Sequence, residues 1–257
     1  AMLNDGVIQH MRVGADGGIG VKYMARDDVE TVGMLGSGGM ARTHMDAFMA
    51  VRPGIRRLRV FSPTPANRER FAAEMAERHG IEAVAVDDPA EVYRGAGIVA
   101  ALTDSARPVL EGDRIEPGTH VVNVGAGGAP DRRTTERIDV YLRFGDAPAP
   151  RRRPEFGVDD EYLSYTAKSA MEILRARPKG AQEDGHGALP VAKRVSFADL
   201  MAQKPGRTSA EQITYSERGN LQGAQFWAVA GVVYEKARAK GLGRPLPLEW
   251  FTQDIRN

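Results

Sequence analysis

The chain has 257 residues, and its 35 lysines and arginines against 34 acids leave a net charge of +1. That balance gives no bulk attraction to nucleic acid or to an anionic membrane, so neither is an expected partner. The lack of cysteine excludes disulfides, thiolate metal sites and a cysteine nucleophile. No apolar run is long enough to span a bilayer, and no signal-peptide pattern is present, so the expectation is a soluble cytoplasmic protein.

Residues 5 to 25 carry Ile8, Met11, Val13, Ile19, Val21, Tyr23 and Met24, interrupted by Gly14, Gly17, Gly18 and Gly20. Each glycine costs a helix about 1 kcal/mol against alanine, so the pattern predicts a helix only over Gly20 to Arg26. An apolar strand then starts at about Thr31 and ends in Gly36-x-Gly38-x-x-Ala41, which leads into a helical pattern over Ala41 to Val51. Strand, tight turn and helix in that order are the start of a dinucleotide fold. Gly36 permits the sharp turn, Gly38 lets the backbone approach a pyrophosphate, and Ala41 lets the helix lie close to the sheet. The phosphate charge would meet free N–H groups at the helix start. Gly36, Ser37, Gly38, Gly39 and Met40 are therefore candidate cofactor-binding residues.

Pro53-Gly54 ends that helix, and Leu58 to Phe61 forms a second strand. Thr64 followed by Pro65 has the form of an N-cap with proline at the first helical position, and Gly80 is the matching stop. Glu82 to Val86 is a third strand, and Asp88 to Glu91 has the spacing of a capping box. Ile98 to Leu102, His120 to Val124 and Ile138 to Leu142 supply three more apolar runs. Strands alternating with helices in this way predict an α/β fold with a doubly wound parallel sheet of Rossmann type. The order breaks over 145–190, a Pro-, Gly- and Arg-rich excursion containing Arg151-Arg152-Arg153 and a helical pattern over Tyr162 to Arg177. Regular structure resumes over Val191 to Met201, with a last strand at Ile213 to Tyr215. A helix follows from Leu221 to Lys240 with Phe226, Val229, Ala230, Val233 and Tyr234 on one stripe.

Where an NAD-binding fold places an acid at the end of its second strand, this chain reads Phe61-Ser62-Pro63-Thr64-Pro65-Ala66-Asn67-Arg68. Ser62 and Thr64 offer hydroxyls, and Arg68 offers a fork that suits a 2′-phosphate. The expectation is NADP, with NAD as second choice; the plainer alternative makes Arg68 a surface helix residue. Thr103, Ser105 and Val124 fall at the carboxyl ends of strands, where ligands bind in open sheets, although Thr103 and Ser105 also suit helix caps. None of the five histidines has metal-ligand spacing, so no metal is expected.

Several separated stretches together resemble the ornithine cyclodeaminase/mu-crystallin family of NAD(P)-dependent proteins. They are Met11-Arg12-Val13-Gly14-Ala15, Val21-Lys22-Tyr23-Met24-Ala25-Arg26, and Gly36-Ser37-Gly38-Gly39-Met40-Ala41-Arg42-Thr43. Thr103-Asp104-Ser105 with Pro108-Val109, and His120 to Gly125, continue the series. Pro205-Gly206-Arg207-Thr208-Ser209 and Val233-Tyr234-Glu235-Lys236-Ala237 with Gly241-Leu242-Gly243 complete it. The resemblance implies a dinucleotide-binding domain over 28–218, with 1–27 and 219–257 as the remnant of a substrate and dimerisation domain. It implies a homodimer, a small-molecule carboxylate substrate, and an arginine at the position of Arg12 that binds the carboxylate. It also leads one to expect a longer N-terminal segment than Ala1 to Asp27 provides.

Two departures stand out. Family cyclodeaminases carry an aspartate in the glycine-rich loop after the fifth strand, whereas here Gly125-Ala126-Gly127-Gly128-Ala129-Pro130 puts the nearest acid at Asp131. Asp131 is thus the candidate base, with a turn residue as the plainer reading. An acid expected soon after Gly219 is replaced by Asn220. Three functions follow as expectations: an NADP-dependent oxidoreductase acting on an imine, imino acid or amino acid; a non-catalytic NADP-binding protein or truncated relative; or an ornithine cyclodeaminase, an ammonia-lyase.

Overall fold

The computed structural model describes residues 1–105, 108–124, 130–145, 152–153, 158–159, 189–217 and 222–252. Its centre is an eight-stranded, wholly parallel sheet. In chain order the strands are β1 (Thr31–Leu35), β2 (Arg57–Phe61), β3 (Glu82–Ala85), β4 (Ile98–Ala101), β5 (His120–Asn123), β6 (Val140–Arg143), β7 (Arg152–Arg153), β8 (Val158–Asp159), β9 (Arg194–Ser196) and β10 (Thr214–Glu217). The sheet runs β3-β2-β1-β4-β5-β10-β6-β9, and β7 pairs separately with β8. Strand β1 is flanked by β2 and β4, with Val32 opposite both Leu58 and Ile98. The strand order reverses between β1 and β4, so their carboxyl ends open the crevice that such folds use for ligands.

The central strands are buried along their whole length, β1, β4 and β5 alike. This explains their unbroken apolar runs, which parallel strands covered on both faces require. Helix α2 (Gly39–Val51) buries Ala41, Met45 and Phe48 against one face, and α3 (Pro65–His79) adds Phe71, Ala72 and Met75. Thr64 takes the N-cap position of α3 without a side-chain cap bond, and Gly80 closes the helix in the left-handed region at φ 65°. The last strand, β10, inserts between β5 and β6, pairing parallel with both. The excursion contributes the β7–β8 hairpin; the expected helix over Tyr162 to Arg177 lies outside the described residues.

The first helix corrects the sequence reading. Helix α1 runs from Asp5 to Met24, not from Gly20 to Arg26. Its glycines are contact points, not breakers. A Cβ at Gly14 would lie 2.6 Å from the Thr43 backbone, and one at Gly18 would lie 2.8 Å from Ala47 Cβ. The close approach to α2 and the burial it allows offset the propensity cost of each glycine. Asn4 caps the start by accepting from the Gly6 N–H at 3.0 Å. Arg52 donates to the carbonyls of Lys22, Ala25 and Arg26 and so holds the last turn.

The C-terminal helix forms where the sequence places it. It spans Gln222–Ala239 (α6, after α4 at Arg132–Arg137 and α5 at Phe197–Met201), and none of its described residues is fully buried. Trp227 is 81% exposed, and Tyr234, one of the stripe residues, is 41% exposed. Among the described residues no helix is long and apolar enough to cross a membrane.

Candidate functional site

The turn after β1 is shaped by two backbone requirements. Gly36 has φ 116°, a conformation that side chains rarely adopt, and a Cβ there would run into the Leu102 carbonyl after β4. Its N–H donates to the Phe61 carbonyl at 2.8 Å, which ties the turn to the end of β2. Gly38 is the N-cap of α2, has no side-chain cap bond, and would meet nothing within 4 Å if given a Cβ. No acid occupies the first turn of α2. An uncapped helix start with clear space before it fits a dinucleotide pyrophosphate, whose charge the N–H groups and helix dipole would receive.

Several neighbouring residues meet at this turn or along the same edge. Ser37 Oγ donates to Ser62 Oγ at 2.9 Å, joining the turn to the end of β2. Arg42 donates to the Ser37 carbonyl at 3.1 Å and grips Glu74 with Nε and Nη2. Thr103 and Val124 stand at the same carboxyl edge, half-buried, and Thr103 Oγ1 accepts from the Ser105 N–H at 3.2 Å. Thr64 lies exposed at the start of α3.

Arg68 is not a surface residue: only 7% of it is exposed. Its Nη1 donates to the Ser62 carbonyl at 3.0 Å, and its Nη2 pairs with Asp87 just beyond β3. Asp87 itself is 94% exposed. Any anion approaching Ser62 would therefore compete with Asp87 for this guanidinium.

The candidate base Asp131 is placed differently from the turn residues. It is the N-cap of α4, with Oδ1 accepting from the Thr134 N–H at 2.7 Å and both oxygens facing the Gly112 N–H at 3.2 and 3.3 Å. An aspartate after proline at a helix start reads naturally as a cap. Replacing it with alanine is expected to lower stability by about 1–2 kcal/mol, measured by urea unfolding, and to leave nucleotide binding intact.

Arg12 lies on α1, whose N-terminal half sits at the carboxyl edge of the sheet: the His10 ring packs on Gly39 of the turn, while Met24 meets the start of β10. Arg12 is 1% exposed. Its Nε and Nη2 donate to Gln9 Oε1 at 3.2 and 2.9 Å, and its Nη1 donates to Gln225 Oε1 at 2.8 Å. The Phe226 ring covers one face of the guanidinium, 4.9 Å from its carbon. Asp16, one turn further along α1, is also buried. Sequence reasoning found Arg12 but missed this surround. The three-residue spacing of Gln9 to Arg12 was a visible helical signal; Gln225, 213 positions away, gave none.

A separate open cavity of about 610 Å³ lies at the opposite edge of the sheet, where Lys22, Arg26, Arg52, Lys204 and Arg207 meet Asp27 and Asp28. Arg52 and Arg207 are committed there to carbonyls at the end of α1. This cavity does not adjoin the glycine turn.

The parallel sheet, the strained glycine turn and the open start of α2 define an α/β protein of Rossmann type. The sequence model of the ornithine cyclodeaminase/mu-crystallin family matches residues 1–141, and the chain belongs to that family. It is 30% identical over 235 residues to alanine dehydrogenase of Archaeoglobus fulgidus, covering 91% of this chain and 65% of that protein. It is 24% identical over 255 residues to a Delta(1)-pyrroline-2-carboxylate reductase of Bacillus cereus, covering 96% and 69%. Among solved structures, the Thermococcus litoralis Delta(1)-pyrroline-2-carboxylate reductase in complex with NADH and L-proline is similar at a TM-score of 0.72 and 26% identity, covering 94% of this chain and 68% of that one. The chain thus spans about two thirds of the length of these relatives.

Proposed function

We propose that this protein is an NADP-preferring oxidoreductase acting on a carbon that bears nitrogen in an imine, imino acid or amino acid. Arg12 carries the reading: it is a buried cation fixed at the carboxyl edge of the sheet, on the helix that packs against the dinucleotide turn. A guanidinium fork is the natural partner of a substrate carboxylate. The relatives supply the reaction class, since one of them binds NADH and L-proline together. The turn residues Gly36 to Met40 would hold the pyrophosphate, with Ser62, Thr64 and Arg68 at the adenine ribose and Thr103, Ser105 and Val124 along the crevice. The nicotinamide would supply or accept the hydride. Arg12 would orient the substrate, and the dry surround of Phe226 would strengthen that contact. Residues 28–218 would form the nucleotide unit, 1–27 and 219–257 would contribute the substrate side, and a homodimer would complete it.

The test is NADPH and NADH oxidation with cyclic imines, and with keto acids plus amine. Turnover that is lost in Arg12→Ala supports the reading, and no turnover by a folded, nucleotide-binding protein contradicts it. A second reading, nucleotide binding without catalysis, is favoured by one observation: the oxygens of Asp131 are occupied in capping. Ammonia release from ornithine would instead assign cyclodeaminase chemistry, which needs a base at the amine.

The preference for NADP over NAD rests on Arg68 and its competition with Asp87. Asp87→Asn removes the competing charge and is expected to tighten NADP about tenfold relative to NAD, on the scale of one charge-assisted bond. Arg68→Gln is expected to erase the preference. Calorimetric titration with both nucleotides checks the pair, and an unchanged ratio in both variants contradicts it.

A further inference from the structure

We propose that Gln9 is an internal stand-in for the substrate carboxylate and sets the carboxylate selectivity of the site; this rests on the reading of Arg12 above. One oxygen, Gln9 Oε1, bridges Nε and Nη2 of Arg12 at 3.2 and 2.9 Å. That edge is one of the two on which a guanidinium grips a carboxylate with two parallel bonds. The face is covered by Phe226 and the Nη1 side by Gln225, so the edge held by Gln9 is where an incoming carboxylate exchanges.

The physics of the exchange favours an anion. Gln9 is a neutral acceptor on the same helix, three residues before Arg12, and only half-buried, so its side chain can swing toward solvent. While it stays, it satisfies two donors of a buried guanidinium. The bond to Gln9 is charged on the donor side only; a carboxylate adds the attraction of opposite charges in a partly desolvated site, and so displaces it. A neutral amide gains nothing by the swap. Gln9 therefore makes the site discriminate against amide analogues of its substrate while lowering its affinity for every carboxylate.

The two directions of substitution give opposite outcomes. Gln9→Met keeps the side-chain length and removes the oxygen; it should tighten carboxylate binding about tenfold, the scale of one hydrogen bond to a charged group. Gln9→Ala should act in the same sense. Gln9→Glu places a permanent carboxylate on the fork and should abolish binding. The measurement is calorimetric titration of the NADH-saturated protein with L-proline, L-alanine and acetate, with L-prolinamide as the neutral control. NADH affinity serves as the check that each variant is folded. Carboxylate affinity that is unchanged or weaker in both Gln9→Met and Gln9→Ala overturns the role of Gln9. If no carboxylate binds to wild type or to any variant while NADH still binds, Arg12 does not read a carboxylate, and the proposed function falls together with this inference.

Discussion

Arg207→Ala is expected to destabilise the protein by about 3 kcal/mol or more. Arg207 reaches back from the segment before β10 and donates to the carbonyls of Met24, Gly118, Ser209, Ala210 and Gln212 and to Thr214 Oγ1. One guanidinium thus fastens the end of α1, the turn before β5 and the loop before β10. Burial and the nearby Arg26 charge lower its pKa, while Asp139, Asp28 and Glu211 raise it. Removing the guanidinium would leave several carbonyls without their charged donor. Lysine would not substitute, because a single ammonium cannot span the carbonyls that a planar fork reaches. Urea unfolding of Arg207→Ala and Arg207→Lys measures this, and a loss under 1 kcal/mol in both would contradict it.

Acid should loosen the seat of α1 through two buried histidines, His44 against Gly17 and His120 near Gly20. Burial pushes His44 down to about 4, against the opposing bond to the Met40 carbonyl. Burial, then the charges of Arg207 and Arg52, push His120 down to about 3. The hydrogen bonds fix its tautomer. Thr214 Oγ1 donates to the Met24 carbonyl at 2.8 Å and accepts from Arg207, so His120 Nδ1, 2.9 Å away, must be the donor. In the neutral ring Nε2 is left to accept from Ser216 Oγ at 3.2 Å. Both folded pKa values lie below the unfolded value of about 6.5, so the unfolded chain binds more protons between them. The stability they contribute is full above pH 6.5 and is lost as pH falls through the window. The two together account for a loss of roughly 3–4 kcal/mol between pH 7 and pH 5. His120→Asn should remove about half of that slope. A urea midpoint that stays flat from pH 7 to pH 5 would contradict the neutral assignment.

The dinucleotide half of the fold was legible because its signals are local. The apolar run Thr31 to Leu35, the small residues Gly36, Gly38 and Ala41, the proline start at Pro65 and the left-handed stop at Gly80 each act within a few positions of their cause. Helix α1 was not legible because Gly14, Gly17 and Gly18 lower helix propensity, while their benefit comes from α2, which the local pattern does not contain. Arg68 was found as a cation but not its partner Asp87, which β3 delivers from nineteen residues on. Asp131 carried two readings, and hydrogen-bond geometry assigns its oxygens to capping. The surround of Arg12 depends on α6 folding back over α1, a contact between the two ends of the chain.

The central claim is that a nucleotide pyrophosphate sits at the open start of α2, and Gly38→Asp tests it most directly. Gly38 has φ −85° and free space before it, so aspartate fits there and makes a better N-cap than glycine. The variant should be at least as stable as the wild type. Its carboxylate, however, occupies the position of the phosphate charge. Calorimetric titration with NADPH and NADH should show binding by the wild type and a loss of a hundredfold or more, about 2.7 kcal/mol, in the variant. Equal nucleotide affinity in the two folded proteins would contradict the placement of the cofactor and the function built on it.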